Sequence, residues 1–219
     1  TWDRELIFKA ADIASTEARG KLNQPGSRGN GLSYWSPTIN MARDPRWGRN
    51  EESYGEDPYL TAQYGVNFIN GMQGDDEKYL KTIATLKHFI ANNCESERQV
   101  GTSVMDEQTL RDYYGKAFQD IMEAANAASV MSSYNATTVT RNGDILYEYI
   151  PSPANPYILN DLLRRNWGFD GYVTGDCGAV NNLHSRPTFK RTLFPDVKLD
   201  SVPQSETLPF AIKNGNDMD

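Results

Sequence analysis

The sequence predicts an α/β fold, organised as a (β/α)8 barrel-like domain that 219 residues represent only in part. Short runs rich in β-branched and aromatic residues alternate with amphipathic helical segments, which is typical of a parallel sheet or barrel. Unusual polar residues follow several predicted strands, and in such barrels the chemistry lies at the C-terminal ends of the strands. The chain is also shorter than the roughly 250 residues of a typical eight-fold barrel. We therefore predict one domain over 1–219, a fragment of a TIM-barrel-like fold.

The composition excludes several classes of protein. The formal net charge is −7, from 29 acidic and 22 basic residues, and no basic run indicates a nucleic-acid partner. No apolar run approaches the ~20 residues that a membrane span needs. The two cysteines, Cys94 and Cys177, form neither a metal motif nor a disulfide framework, so no cofactor is predicted. These features do not assign the protein to a cellular compartment.

The chain begins with a predicted helix rather than with a strand. Apolar residues recur at helical spacing over 2–19, Asp3 can cap the first turn and Gly20 can end the helix. The face that we expect to be buried consists of Leu6, Ile7, Ala10, Ala14 and Ala18. The first strand is predicted over 32–40, although Pro37 cannot donate a ladder hydrogen bond near its far end. A barrel that begins with half a unit cannot close, which supports the prediction of a fragment.

A polar segment, residues 43–58, follows the first strand. It holds three arginines and five acidic residues among prolines and glycines. Such dense charge of both signs predicts an ordered ion-pair network at the strand exit, and the alternative is a solvated surface loop. Trp47 and Tyr54 favour the network, since large aromatic side chains are seldom fully exposed.

The remaining elements continue the alternation of helices and strands. Pro58 lies at the position that proline prefers at a helix start, and residues 110–125 follow the spacing of an amphipathic helix. A polar loop with Tyr147 and Tyr149 is predicted to lead to Pro151, and an irregular proline-containing loop is predicted over 185–209. The other predictions are helix 58–74, a strand within 80–91, strand 129–135, helix 156–167, strand 171–174, helix 206–213 and a strand start at 216.

The strand over 171–174 leads directly into a carboxylate between glycines. Gly175 and Gly178 permit a sharp exit from the strand and a close approach of a ligand to the backbone. Asp176 is therefore the candidate nucleophile, and the alternative is that Asp176 merely caps the next helix. Polar residues recur at the other strand exits, at Arg49, at Tyr134 and at 87–88, which favours a functional site over capping alone.

Lys87 and His88 lie near the end of the second strand. Neighbouring residues of a strand point to opposite faces unless the strand is already bending. A lone buried histidine is more often a hydrogen-bonded structural residue than a catalyst. The other interpretation is that both side chains donate hydrogen bonds to hydroxyl groups of a ligand.

These stretches resemble family 3 glycoside hydrolases. The run Arg-Asp-Pro-Arg-Trp-Gly-Arg at 43–49, together with Asp-Cys-Gly at 176–178, is most similar to the β-xylosidase branch, with some β-glucosidases close by. The resemblance covers roughly residues 1–184 in family order. Its other carriers are residues 34–40, 55–58, 87–89, 130–135 and 167–169.

The resemblance implies a retaining, two-step mechanism in which Asp176 is the nucleophile. A second carboxyl group, roughly 5 Å away in such enzymes, protonates the leaving oxygen. The substrate-binding positions that the resemblance implies are Arg49, Lys87, His88, Arg98, Met131 and Tyr134. The first three would bind hydroxyls of the sugar before the cleaved bond. Tyr134 would lie beside the nucleophile, Met131 would line the pocket and Arg98 would hold the nucleophile region.

Three features depart from the family pattern. The residue before the nucleophile is Gly175 where the family usually has serine, and the sequence after Leu183 follows the family less closely. No glutamate can be assigned as the acid/base, which in the family usually comes from a second α/β domain. We therefore expect the site to need a C-terminal α/β domain or a second chain, and the isolated chain to be weakly active or inactive.

The main hypothesis is an exo-acting β-xylosidase or β-glucosidase that acts on plant-derived β-linked oligosaccharides, as in xylan degradation. The alternative is a non-catalytic sugar-binding or scaffold protein of the same fold, which the changed Gly175, the expected missing ends and the irregular tail motivate. A third idea, metal binding by Asp217 and Asp219, has no ligand pattern behind it.

Overall fold

The computed structural model of the chain describes residues 2–26, 31–196, 198 and 203–219. Its strands are β1 (Ser33–Tyr34), β2 (Ile83–Phe89), β3 (Thr102–Asp106), β4 (Ser129–Ser132), β5 (Ala136–Arg141), β6 (Asp144–Pro151) and β7 (Tyr172–Gly175). Its α-helices are α1 (Arg4–Leu22), α2 (Pro58–Gln73), α3 (Glu107–Thr109), α4 (Lys116–Ala124), α5 (Ala179–Asn182), α6 (Pro187–Leu193), α7 (Gln204–Thr207) and α8 (Pro209–Lys213). Two π-helical segments are Leu110–Tyr114 and Tyr157–Asn166.

A four-stranded parallel sheet in the order β1-β2-β4-β7 forms the centre of the structure. Met218 adds a parallel bridge to Thr174 beside β7, where the sequence predicts a further strand. This is the predicted α/β arrangement, and the described strands form part of a barrel without closing it. Because parallel strands end at the same edge, the C-terminal ends of β2, β4 and β7 meet at one place, here called the rim.

The helices pack on the sheet through one large apolar core. Phe89 at the end of β2 meets the rings of Phe118 and Trp167 edge-on, with ring centroids 5.1 Å and 5.9 Å away. Gly71 lets α2 approach α1, since a Cβ there would lie 2.5 Å from the carbonyl oxygen of Phe8. Close packing of this kind fixes the strand ends from below and gives the rim a rigid base.

The prediction of a polar loop leading to Pro151 is wrong, because residues 136–151 form a β-hairpin. β5 pairs in parallel with β3 and antiparallel with β6, in a second, three-stranded sheet. The turn residues Asn142 and Gly143 have φ values of 53° and 89°. Asparagine followed by glycine is the strongest short-range hairpin signal, so the sequence contained the information that was missed.

The first helix also differs from its prediction. It continues through Gly20 to Leu22, and it leaves Leu6 half exposed. Its buried face contains small residues instead, and Ser15 donates from Oγ to the carbonyl oxygen of Gly71 at 2.9 Å. Small side chains on this face allow the close contact between α1 and α2, which the apolar spacing alone could not indicate.

The predicted strand over 32–40 is ordered as a strand only in β1. One further bridge joins Thr38 to Lys87, beyond Pro37. Pro37 lacks the N–H that a continuous ladder needs, which explains the interruption.

The described part of the predicted irregular loop over 185–209 contains helices α6 and α7, whereas residues 197 and 199–202 lie outside the described residues. Phe189 of this region is buried in a second, smaller cluster with Ala154, Leu183 and Ala211. The predicted helix over 206–213 is divided between α7 and α8. None of the helices in the described ranges combines the length and the apolar character that a membrane span requires.

Candidate active site

Asp176 lies at the rim, directly after β7. Its backbone N–H donates to the carbonyl oxygen of Ser132 on β4 at 3.1 Å, which fixes its position between the two strands. Its side chain is 11% exposed, and Oδ1 accepts a hydrogen bond from the backbone N–H of Cys177 at 2.8 Å. Oδ2 has no hydrogen-bond partner among the described residues. Helix α5 begins after Gly178, which is its N-cap, so the capping interpretation of Asp176 is wrong.

His88 faces this carboxylate, with Nε2 at 3.7 Å from Asp176 Oδ2. The Nδ1 atom of His88 lies 3.0 Å from Asn40 Oδ1, an acceptor that also takes the backbone N–H of His88 at 2.8 Å. Nδ1 therefore carries the proton, and Nε2 accepts a hydrogen bond from Arg49 Nη1 at 3.1 Å. Burial, and then the charge of Arg49, lower the pKa of His88 well below its usual range. His88 is neutral at physiological pH.

The predicted ion-pair network is confirmed around Glu52. Arg49 donates from Nε and Nη2 to the two oxygens of Glu52, at 2.7 Å and 2.8 Å. Lys87 Nζ lies 4.0 Å from Glu52 Oε2, and Thr38 donates to the same oxygen at 3.1 Å. The hydrogen bonds from Arg49 lower the pKa of Glu52 to about 2, and burial lowers the pKa of Lys87. Trp47, which belongs to this segment, is buried, and this argues against a solvated surface loop.

Lys87 and His88 both reach the site although they are neighbours in sequence. The pairing of β2 with β4 shifts register between Leu86 and Phe89, so simple alternation does not hold there. The sequence-based expectation of opposite faces applies to a regular strand, which this segment is not.

Tyr134 and Arg98 form the other side of the rim. The Arg98 guanidinium lies 4.8 Å from the centroid of the Tyr134 ring and pairs with Glu95 at 2.8 Å. The Tyr134 hydroxyl donates to the carbonyl oxygen of Cys177, next to Asp176. Burial, together with the charge of Asp176, raises the pKa of Tyr134 to about 12, so the hydroxyl keeps its proton.

Met131 is buried on β4, one residue after Val130. Val130 belongs to the apolar core between sheet and helices, and alternation along the strand places Met131 on the opposite face. Met131 pairs in register with Thr174 of β7, two residues before Asp176. This position on the face away from the helices is compatible with lining a pocket.

The absence of a side chain at Gly175 leaves room for the carboxylate of Asp219. A Cβ at Gly175 would lie 2.6 Å from Asp219 Oδ1, and that oxygen accepts a hydrogen bond from the backbone N–H of Val180 at 3.2 Å. Asp217 likewise accepts from the backbone N–H of Val173 and pairs with Arg164, both at 2.7 Å. Asp217 and Asp219, the two acids of the metal-binding hypothesis, thus both accept hydrogen bonds from protein groups.

Sequence reasoning missed two residues that organise the site. Asn40 ends the predicted first strand and orients His88, while Glu52 lies in the polar segment and joins Arg49 to Lys87. The signal for Glu52 was its place three residues after Arg49 in a segment predicted to form ion pairs. For Asn40 there was no comparable signal, because its partner is 48 residues away.

A parallel α/β arrangement whose strand ends carry a carboxylate, an imidazole and charged hydrogen-bond donors at one edge is typical of TIM-barrel-like domains. Residues 28–218 match the model of the glycosyl hydrolase family 3 N terminal domain, and the chain belongs to this family.

Proteins similar in sequence and in structure are xylosidases and glucosidases. The exo-1,4-beta-xylosidase bxlB of Emericella nidulans is 38% identical over 187 residues, which cover 82% of this chain and 23% of that protein. Beta-D-xylosidase 3 of Arabidopsis thaliana is 35% identical over 194 residues, or 85% of this chain and 23% of that protein. The chain thus spans about a quarter of the length of these relatives.

Two solved structures extend the comparison. A GH3 exo-beta-xylosidase (XlnD), solved in complex with a xylobiose aziridine probe, has a TM-score of 0.81 and 34% identity, covering 99% of this chain and 26% of that chain. A beta-glucosidase from Listeria innocua has a TM-score of 0.73 and 27% identity, with 99% and 26% covered. These matches confirm the predicted partial barrel.

Proposed function

We propose that the protein is a retaining β-glycosidase with Asp176 as its nucleophile. The observation that carries the proposal is the position of this carboxylate, at a strand end beside the charged and polar groups of Arg49, Lys87 and His88. Its Oδ2 has no internal hydrogen-bond partner among the described residues and lies 3.7 Å from a neutral imidazole. A carboxylate that is not engaged in an ion pair can attack an electrophilic carbon.

In the first step, an oxygen of Asp176 forms a bond to the anomeric carbon while the bond to the leaving oxygen breaks and that oxygen takes a proton. In the second step, water attacks the same carbon and gives a proton to the group that protonated the leaving oxygen, the ester bond to Asp176 breaks and the sugar leaves with its configuration retained. Positive charge develops on the sugar ring in the transition state of each step. Donors that hold the ring hydroxyls more tightly in that transition state lower the barrier.

Arg49 and Lys87 are the proposed donors to sugar hydroxyls, and the Nε2 atom of His88 faces the same space. Met131 and Tyr134 would line the pocket, and Arg98 would hold the segment beside the nucleophile. The names of the similar proteins favour exo-β-xylosidase activity, with β-glucosidase activity next. The proposed substrates are β-linked oligosaccharides or glycosides of plant origin, as in xylan degradation.

The general acid is proposed to come from outside these residues, in a C-terminal α/β domain or a second chain. A general acid needs a raised pKa so that it holds a proton at working pH. Glu52 has the opposite property, because the hydrogen bonds from Arg49 lower its pKa to about 2. Glu95, the other glutamate beside Arg49, pairs with Arg98 at 2.8 Å.

The test is labelling of the full-length protein with a 2-fluoro-β-xyloside that has an activated leaving group. The fluorine slows both steps, and the good leaving group restores the first, so the glycosyl-enzyme accumulates. We expect a mass increase of one fluorosugar, located by peptide mapping at Asp176. Asp217→Asn is the control that should still be labelled, whereas Asp176→Ala should not.

Attachment to another carboxylate would remove Asp176 from the proposed role. Absence of any label, combined with binding of xylose in a titration, would favour the alternative of a non-catalytic sugar-binding protein.

A further inference from the structure

Arg186 is a buried arginine outside the predicted site, at the residue before helix α6. It is 5% exposed, and its guanidinium binds backbone carbonyl groups. Nη2 donates to the carbonyl oxygens of Tyr134 at 2.6 Å and Arg98 at 3.2 Å. Nη1 lies 3.5 Å from the carbonyl oxygen of Gly101, at the limit of a hydrogen bond. No described carboxylate lies within ion-pair distance of it, and burial lowers its pKa to about 10.

A buried charge without an opposite charge is costly, so arginines in protein interiors are normally paired with acids. An apolar side chain could fill the same volume without that cost. The planar guanidinium, however, can bind several carbonyl oxygens at once in a fixed geometry. Arg186 uses this property to join separate segments of the chain, which is a geometric role.

The joined segments carry two of the proposed site residues. Arg98 stacks on the Tyr134 ring at 4.8 Å, and the Tyr134 hydroxyl donates to the carbonyl oxygen of Cys177. Cys177 in turn donates its backbone N–H to Asp176 Oδ1 at 2.8 Å. A continuous series of contacts therefore runs from Arg186 through Tyr134 to the proposed nucleophile.

We propose that Arg186 is a positioning residue of the glycosidase site, which acts by holding the backbone of Tyr134 and Arg98. This inference rests on the proposed function for its effect on catalysis, but not for its effect on the two segments. Arg186 does not contact the proposed reacting atoms. It fixes the distance between the chain after the nucleophile and the opposite side of the rim.

The catalytic arm of the test is a double-mutant cycle in the full-length protein, with an aryl β-xyloside as substrate. Arg186→Met should lower kcat about 10- to 100-fold, because small displacements of site groups are costly, while KM stays within about threefold. Arg186→Lys keeps the charge without the planar fork and should give a smaller loss. The double variant Arg186→Met/Tyr134→Phe should lose less kcat than the product of the two single losses. Both substitutions act through the hydrogen bond from the Tyr134 hydroxyl to Cys177, which can be lost only once.

The matched control is Arg111→Met. Arg111 also binds protein acceptors, Glu107 at 3.0 Å and the Tyr157 hydroxyl at 2.9 Å, but it contacts no proposed site residue. This variant should lose thermal stability and keep kcat. If Arg186→Met and Arg111→Met changed kcat equally, or if the effects of Arg186→Met and Tyr134→Phe multiplied, the proposal would be overturned.

The second arm measures backbone hydrogen exchange and does not depend on activity. Arg186→Met should increase exchange in the segments 98–101 and 134–136 by about tenfold or more, relative to the Arg111→Met control. Unchanged exchange there would overturn the inference even if the enzyme were active. A wild-type protein without glycosidase activity would instead refute the proposed function, and the exchange result would still decide whether Arg186 positions these segments.

Discussion

Asn40 and His88 bind each other through three hydrogen bonds. The Asn40 amide oxygen accepts from the backbone N–H and from Nδ1 of His88, at 2.8 Å and 3.0 Å, and its Nδ2 donates to the His88 carbonyl oxygen at 2.9 Å. This arrangement leaves Nε2 as the acceptor that faces Arg49 and Asp176. One asparagine thus sets the tautomer of the imidazole beside the proposed nucleophile.

His88 should make stability depend on pH below about pH 6.5. Its pKa is lowered in the folded state, so the unfolded chain, with a histidine pKa of about 6.5, binds a proton that the folded chain does not. The free energy of unfolding therefore has its full value, as far as His88 is concerned, above that pH. It falls as the pH decreases, by up to about 1.4 kcal/mol per pH unit. Urea unfolding between pH 7 and pH 5 measures the slope. His88→Gln should flatten this slope; a slope retained in His88→Gln would assign it to other groups.

Glu52 should contribute to substrate binding through Arg49 and Lys87. Glu52→Gln removes the negative charge that orients the guanidinium at 2.7 Å and 2.8 Å and that lies 4.0 Å from Lys87 Nζ. We expect kcat/KM for an aryl β-xyloside to fall about 3- to 30-fold, mainly through a higher KM. The loss should be moderate because the partly exposed carboxylate is screened by solvent. Initial-rate kinetics measure this. Glu51→Gln changes an exposed neighbour and should have no effect; equal effects of the two variants would contradict the assignment.

Gly175→Ser should displace Asp219 rather than disturb β7. The new Cβ would lie 2.6 Å from Asp219 Oδ1, which is the end of a movable side chain, and Asp219 would lose its hydrogen bond from Val180. We expect a loss of about 1 kcal/mol in the free energy of unfolding, the usual value of one such hydrogen bond. In Asp219→Ala the same substitution should cost almost nothing more. Strictly additive losses in denaturant melts would show that the clash is with another group.

Residues 1–219 alone should distinguish between leaving groups. An activated aryl β-xyloside needs little protonation of its leaving oxygen, so a folded chain should release aryl alcohol in a burst that Asp176→Ala lacks. Xylobiose, whose leaving oxygen needs a proton, should not be cleaved. Stopped-flow absorbance and product chromatography measure the two reactions, after circular dichroism has verified folding. Efficient cleavage of xylobiose would show that these residues contain the general acid.

The alternation of strands and helices could be predicted because it depends on local patterns. Pro58 at the start of α2, the amphipathic spacing over 110–125 and the strand before Asp176 each depend on neighbours within a few residues. The β5–β6 hairpin could have been found in the same way, from Asn142 and Gly143. The limits of β1 within the predicted strand 32–40 could not, because its pairing with β2 defines them.

By itself, the sequence determined the class of fold, the family and which side chains meet at the rim, since strand ends in a parallel sheet share one edge. Tertiary structure decided how those side chains are used. The tautomer of His88 depends on Asn40, 48 residues away, and the buried Arg186 binds a carbonyl 52 residues away. Hydrogen bonds between distant residues leave no periodic trace in a sequence, because their geometry exists only after the core has packed.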